Sequence, residues 1–188
     1  MHIKDRFETD GFDCVVVSHW MGYYHGYIGI PKGHPLYGIS PRQNVTLFTK
    51  GLPAVWADIA NISKIDGREA VTLPIMVLLG IHGGIDYSAD CLPGEEPGDL
   101  WWYGFSTGSY PDKVDVTISK EALENEPSIT LEQKEEVYKY VVKMAAINSN
   151  GILRDEKFIK EELKSLSMQL YIIKDLTENK LFEVAQEG

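Results

Sequence analysis

The chain has 188 residues, 44% of them hydrophobic and 24% charged, with a formal net charge of −10 and a pI of about 4.9. That length and composition predict one globular domain, large enough to bury a core without disulfide or metal staples. So acidic a surface repels polyanions and carries no Lys/Arg cluster, which excludes sequence-independent binding to DNA or RNA; the scattered acids, interleaved with Lys in the last third, read as solvated helix surface.

Met1–Asp10 is charged and lacks the apolar centre of a signal peptide. Cys14–Val17 is a β-branched run bounded by turn residues and predicts a strand, with Cys14 as a small buried hydrophobe. Gly26–Ile30 predicts a second strand, stopped by Pro31 and paired with the first as a hairpin through the loop from His19 to His25. Pro41–Lys50 is ambiguous, and Pro53–Ser63 reads as a strand pair or a short helix, with Trp56 and Ile59 inward either way. Ala70–Leu79 predicts a buried strand, although Pro74 opposes a regular central one. The longest apolar stretch, Leu73–Ile81, is too short to span a bilayer, so cytoplasmic residence is expected. Cys91 precedes a loop running to Gly98; neither cysteine sits in a C-x-x-C pair, so no disulfide framework or structural zinc site is expected. Leu100–Ser106 predicts an aromatic strand and Val114–Ile118 a short edge strand.

After Ser119, Lys and Glu rise while Gly and aromatics fall. Thr130 and Gln133 form a capping-box pattern that opens a helix with Leu131, Tyr138, Val141 and Ala145 on one face, ended by Asn148–Gly151. Asp155 caps a second helix bearing the stripe Ile159, Leu163, Leu166, Leu170 and Ile173. Such a stripe serves either in function, as a partner-binding helix or a dimer seam that gives a homo-oligomer, or in structure, as the underside of a helix lying on the sheet; the structural reading is favoured because packing supplies most helix stability. These elements predict an α+β fold, with a mixed or antiparallel sheet and one or two C-terminal helices packed on it. The expected single domain, 1–188, divides into a strand-rich, site-bearing part (1–118) and a helical part (119–188).

Three clusters can carry chemistry. Met21–Gly38 is dense in glycine and aromatics and includes Lys32, His34 and Tyr37. It reads as a site at a strand edge or as tight turns with aromatic packing. His34, between Gly33 and Pro35, is expected to be exposed, as a ligand or proton donor or merely solvated. Ile81–Ser88 contains His82, Gly83, Gly84, Asp86 and Tyr87; a Gly-Gly turn can nest an anion, but neither a Walker loop nor a dinucleotide fingerprint is present. In Leu100–Phe105, Trp101 and Tyr103 face one way and Trp102 the other. One side can be core and the other a platform on which a base stacks for roughly 1–3 kcal/mol; packing on both sides is the alternative.

Together these clusters resemble a family of small, uncharacterised proteins encoded by phages, prophages and plasmids. Its pattern runs from a Gly-Tyr-aliphatic strand to Pro-x-Gly-His-Pro-x-Tyr-Gly, His-Gly-Gly-x-x-Tyr-Ser and Trp-Trp-x-Gly-Phe-Asp-x-x-His with a trailing Asp. Late in the chain comes Arg-Asp-x-x-x-Val-x-x-Glu-x-x-x-Leu-x-x-Gln-Leu. The matches are Gly26 to Gly38, His82 to Ser88, Trp101 to Phe105, then Arg154, Asp155, Glu162, Leu166, Gln169 and Leu170. Ser106 stands in place of the family's Asp and Ser109 in place of its His, Asp112 takes the trailing Asp's place, and Tyr110–Gly151 reads as an insertion. Losing that Asp and His weakens a metal-hydrolase mechanism, and no metal or cofactor is expected, although His34, His82, Asp86 and Asp112 can still cooperate.

Glycine nests with aromatic faces suit a small nucleotide-like ligand, and the resemblance implies a phage-type accessory protein of the host cytoplasm that sequesters a host immune signal of that kind. The expected pocket joins the His34 loop, the His82-Gly83-Gly84 loop and the Trp101/Trp102 strand, with Lys32, Arg42 and Lys113 neutralising phosphate. One alternative is a hydrolase of such a ligand, with His82 as base and His34 or Asp86 assisting. Another is an inhibitor that contacts a host protein through acidic helices.

Overall fold

Four consecutive residues show how the first sheet is built: Cys14, Val15, Val16 and Val17 are all buried, so their strand is covered on both faces. The computed structural model describes residues 2–48, 70–109 and 111–185, and among these the chain is α+β. Five antiparallel strands, β1 (His2–Thr9), β2 (Phe12–His19), β3 (Tyr23–Pro31), β6 (Tyr87–Ala89) and β7 (Leu100–Ser106), form one sheet in the order β1-β2-β3-β7-β6. A second antiparallel sheet joins β4 (Asn44–Phe48), β5 (Ala70–Pro74) and β8 (Phe182–Val184) in the order β5-β4-β8. The helices are α1 (Ile75–Leu78), α2 (Val116–Glu124), α3 (Leu131–Ile147) and α4 (Glu156–Glu178).

The expected hairpin is β2–β3, with Val16 opposite Gly26 and His19 opposite Tyr23. Its turn docks on the N-terminus of α2: Asp115 N–H donates to Gly22 O at 2.7 Å and Ser119 Oγ to Trp20 O at 2.7 Å. Gly22 has φ +86°, and a Cβ there would lie 2.5 Å from the Asp115 carbonyl oxygen, so no other residue fits this turn without moving α2. The charged N-terminus forms β1, which among the described residues pairs only with β2; its charges suit an edge strand, which must resist pairing with other chains.

The stripe on α4 lies on the sheet. Ile159, Leu163, Leu166, Leu170 and Ile173 are each 0% exposed and share one core with Cys14, Val16, Ile28, Tyr103 and Phe105. Gly26 permits this approach, since a Cβ there would meet the Phe105 ring at 2.5 Å and Ile159 Cγ2 at 2.9 Å. A smaller core of Val15, Val17, Tyr27, Leu92 and Trp102 covers the other face. The caps of both long helices form as expected: Thr130 and Gln133 close a capping box, and Asp155 accepts from Phe158 N–H at 2.8 Å. On α3, Val141 is fully buried while Leu131 is 76% exposed, so that helix packs through a narrower face than its sequence pattern implies.

Two expected strands are corrected. Ala70–Leu79 is not one buried strand: the ladder stops at Pro74, which has no N–H to donate and whose φ of −62° opens α1. The burial pattern then turns helical, with Ile75, Leu78 and Leu79 inside and Met76 and Val77 outside. Val114–Ile118 enters α2 rather than an edge strand, because Asp115 caps it, accepting from Thr117 N–H at 2.6 Å. The ambiguous Pro41–Lys50 stretch supplies β4. Pro53–Ser63, with Trp56 and Ile59, lies outside the described residues.

No helix among the described residues is long and apolar enough to cross a membrane. Cys14 is fully buried, and desolvation pushes its thiol up to about 12, whereas Cys91 is half-buried in its loop. A thiol-reactive chromophore is therefore expected to modify at most Cys91 in the native protein and both cysteines in urea. Rapid native modification of both would contradict the burial of β2.

Candidate functional site

The His82-Gly83-Gly84 loop follows α1 and is held on α4 by backbone hydrogen bonds. Gln169, only 2% exposed, accepts from Gly80 N–H at 2.8 Å and donates to Gly80 O at 2.9 Å. Glu162 accepts from His82 N–H at 2.8 Å. The His82 ring binds through Nε2 to Asp112, whose side chain is 1% exposed and also accepts from Arg154 Nε at 3.1 Å. The Arg154 guanidinium sits 4.4 Å from the Phe158 ring centroid, and that ring meets His82 edge-to-face at 5.2 Å. A buried carboxylate needs such partners, since unpaired it would cost several kcal/mol (about 3–5).

Beyond His82 the loop turns through Gly83 and Gly84, at φ +71° and +77°. It then borders a cleft of about 620 Å³, which receives Arg42, Gly83, Asp86, Tyr87 and Ser88. Arg42 is exposed on the turn before β4, whose Gln43 N–H donates to Ser40 O at 2.9 Å. Among the described residues the N–H groups of Gly83 and Ile85 meet no acceptor, whereas that of Gly84 donates to Ile81 O at 3.1 Å. Burial raises the Asp86 carboxyl above its usual range, and Ser106 Oγ donates to it at 2.8 Å. The Tyr87 hydroxyl donates to Cys91 O at 2.6 Å, and desolvation pushes its pKa up to about 12, so the ring is fixed and neutral.

The predicted site residues therefore divide. Arg42, Gly83, Asp86 and Tyr87 share the cleft; Gly84 shapes its loop; His82 and Asp112 meet behind it. His34 does not join them, and its expected exposure is corrected: it is 6% exposed, with Nε2 donating to Leu170 O at 3.0 Å and Nδ1 accepting from Leu36 N–H at 3.1 Å. A neutral imidazole has one donor and one acceptor, and His34 spends both in anchoring its loop to α4. Lys32 is exposed and pairs with Asp99 at 2.6 Å, and Tyr37 packs against the main core. Trp102 belongs to the smaller core, with the Arg6 guanidinium 5.9 Å from its ring centroid, and Trp101 packs on the main core. Packing occupies the aromatic strand on both faces.

Sequence reasoning passed over Glu162, Arg154 and Gln169 as site residues, although all three lie in the late motif; the signal was the polarity of Glu162 and Gln169 on a helix bearing an apolar stripe, and of Arg154 just before its cap. It also passed over a histidine–aromatic group on the outer face of β2 and β3. His19 stacks on Trp20 at 4.8 Å and on Tyr23 at 4.6 Å, and meets His25 edge-on at 5.1 Å. Burial pulls both histidines down to about 4. It lowers His34 as well.

Each of these histidines has a folded pKa below its unfolded value near 6.5, so in that interval the unfolded chain binds more protons. Stability is expected to be greatest above about 6.5 and to fall as pH drops toward 4. Urea midpoints across that range check this, and His25→Phe should flatten the slope; a slope unchanged by the substitution would contradict it.

Among the described residues no group of three or more His, Cys, Asp or Glu is placed to hold a metal ion. Comparison of the chain with protein-family models, curated proteins and solved structures gave no significant match.

Proposed function

We propose that this protein binds a small nucleotide-like anion in the cleft bordered by Arg42 and the Gly83-Gly84 turn, without transforming it. The observation that carries this reading is the convergence there of a guanidinium, two N–H groups without acceptors, a neutral phenol and a carboxylate. Phosphate suits the guanidinium and the glycine turn, while ribose or base hydroxyl and amino groups suit Asp86. The volume lies within the roughly 300–1,000 Å³ range of small-molecule sites. The grip of α4 on Gly80 and His82 supports a preformed loop, which reduces the entropy lost on binding.

Retention rather than hydrolysis is favoured because neither His82 nor His34 lines the cleft, and each ring is already engaged. With the phage-type resemblance, the reading becomes cytoplasmic sequestration of a host signalling nucleotide. Cyclic nucleotides and ADP-ribose derivatives are to be incubated with the protein, which is then heat-denatured, and the supernatant analysed by mass spectrometry. The expected result is depletion of a ligand and its return intact. Return as a product would establish a hydrolase, and ligands that stay free throughout would favour a protein target. Arg42→Ala is expected to weaken binding about 10–100-fold, the effect of losing a charge-assisted hydrogen bond. His82→Ala should lower affinity without exposing any turnover.

A further inference from the structure

The outer face of the five-stranded sheet holds a second cavity, of about 360 Å³, lined by His2, His19, Trp20, His25, Tyr27 and Glu126 among others. We propose that it is a separate binding site for an uncharged, flat nitrogen heterocycle, which packs against the Trp20 ring and hydrogen-bonds to His25. This goes beyond the Arg42 cleft in both place and ligand chemistry.

Three observations carry it. Trp20, His19 and Tyr23 form a stack, with interplanar angles of 30° and 21°, and Tyr27 lies nearly parallel to His25 at 23°. A cavity walled by rings in this arrangement accepts another flat ring edge-on or offset-stacked. Second, among the described residues the His25 ring nitrogens meet no hydrogen-bond partner, although the residue is half-buried in the sheet. These nitrogens keep contact with solvent, so a ligand in the cavity can reach them, and an imidazole offers a donor and an acceptor that match a heterocycle's ring nitrogen and amino or amide group. His19 is fixed in orientation, since its Nδ1 accepts from Met21 N–H at 3.2 Å and its proton therefore sits on Nε2.

Third, the lining does not suit phosphate. Among the described residues no Lys or Arg lines the cavity, and burial keeps His19 and His25 uncharged at neutral pH. An anionic ligand would find no guanidinium or ammonium side chain on these walls, whereas the Arg42 cleft offers one.

The test is calorimetric titration of the full chain at pH 7 with adenosine, nicotinamide and AMP, for the wild type, His25→Phe and Arg42→Ala. At least one of the two uncharged compounds is expected to bind, at least tenfold more weakly to His25→Phe and unchanged in Arg42→Ala. Failure of both to bind the wild type would overturn the proposal, as would binding lost in Arg42→Ala but kept in His25→Phe. AMP binding that depends on Arg42 alone reports on the cleft and leaves the two readings separable. Should His25→Phe fail to fold by circular dichroism, the imidazole 15N shifts of the wild type decide. Movement of the His19 and His25 signals on adding the heterocycle supports the site, and static signals overturn it.

Discussion

Replacing Arg154 with alanine is expected to lower the unfolding free energy by about 3 kcal/mol, the lower end of the loss caused by removing one partner of a buried ion pair. The lower end applies because a quarter of the Arg154 side chain remains exposed, so water screens part of the interaction. Asp112, at 1% exposure, would keep only His82 as a side-chain partner among the described residues. The effect should also be local. The Asp112 carboxylate fixes the His82 ring, while its backbone accepts from Asn148 Nδ2 and pairs in parallel with Ile152, so loosening Asp112 reaches both the His82 loop and the end of the 112–152 excursion. Urea unfolding measures the global loss, and amide exchange at Gly80–Gly84 measures the loosening of the loop. Arg154→Lys should fall between wild type and alanine, since it keeps the charge but loses the planar group over Phe158. Unchanged stability and exchange in Arg154→Ala would show that the Asp112 hub does not hold the loop.

Leu166→Ala is expected to cost about 2–5 kcal/mol, through lost burial and the cavity left between α4 and the sheet. Leu166 is 0% exposed, while Met168 on the same helix is 53% exposed. Met168→Ala should therefore change stability by no more than about 0.5 kcal/mol. This contrast tests the orientation of α4, because a helix using its stripe as a dimer seam would leave the Leu166→Ala monomer nearly as stable as wild type. Denaturant midpoints at two protein concentrations separate the cases: a core residue gives a concentration-independent loss, and a seam residue a concentration-dependent one.

Local pattern was enough for α4 and the β2–β3 hairpin. The β-branched run Cys14–Val17 between turn residues, and the stripe from Ile159 to Ile173, each match a single regular element. The caps were equally plain, since Thr130 and Asp155 act within one turn of their own helices. The same local logic misled at Val114–Ile118, where an alternating pattern coincided with a helix cap, and at Ala70–Leu79, where an apolar run concealed the break at Pro74. Hydrophobicity says that such a run is buried and leaves its backbone conformation open.

The candidate site was less legible, because its parts come together over long sequence separations. Some of the residues that carry polar chemistry were evident from the motifs, namely His82 with its two glycines, Asp86 and Tyr87, whereas Arg154, Glu162 and Gln169 stood in the late motif without an assigned role. That Gln169 and Glu162 grip the backbone of Gly80 and His82, or that Asp112 stands between His82 and Arg154, depends on where α4 and the 112–152 excursion dock. His34 makes the same point in reverse: between Gly33 and Pro35 it looks like a solvated turn residue, and only the path of α4 places the Leu170 carbonyl within its reach. The sequence by itself determined the β2–β3 hairpin, α4 and the caps at Thr130 and Asp155, because these depend on neighbours within a few residues. Only the tertiary structure decided which polar groups are free to bind and which are spent on holding the fold, because hydrogen bonds and burial depend on partners that the chain brings from far away.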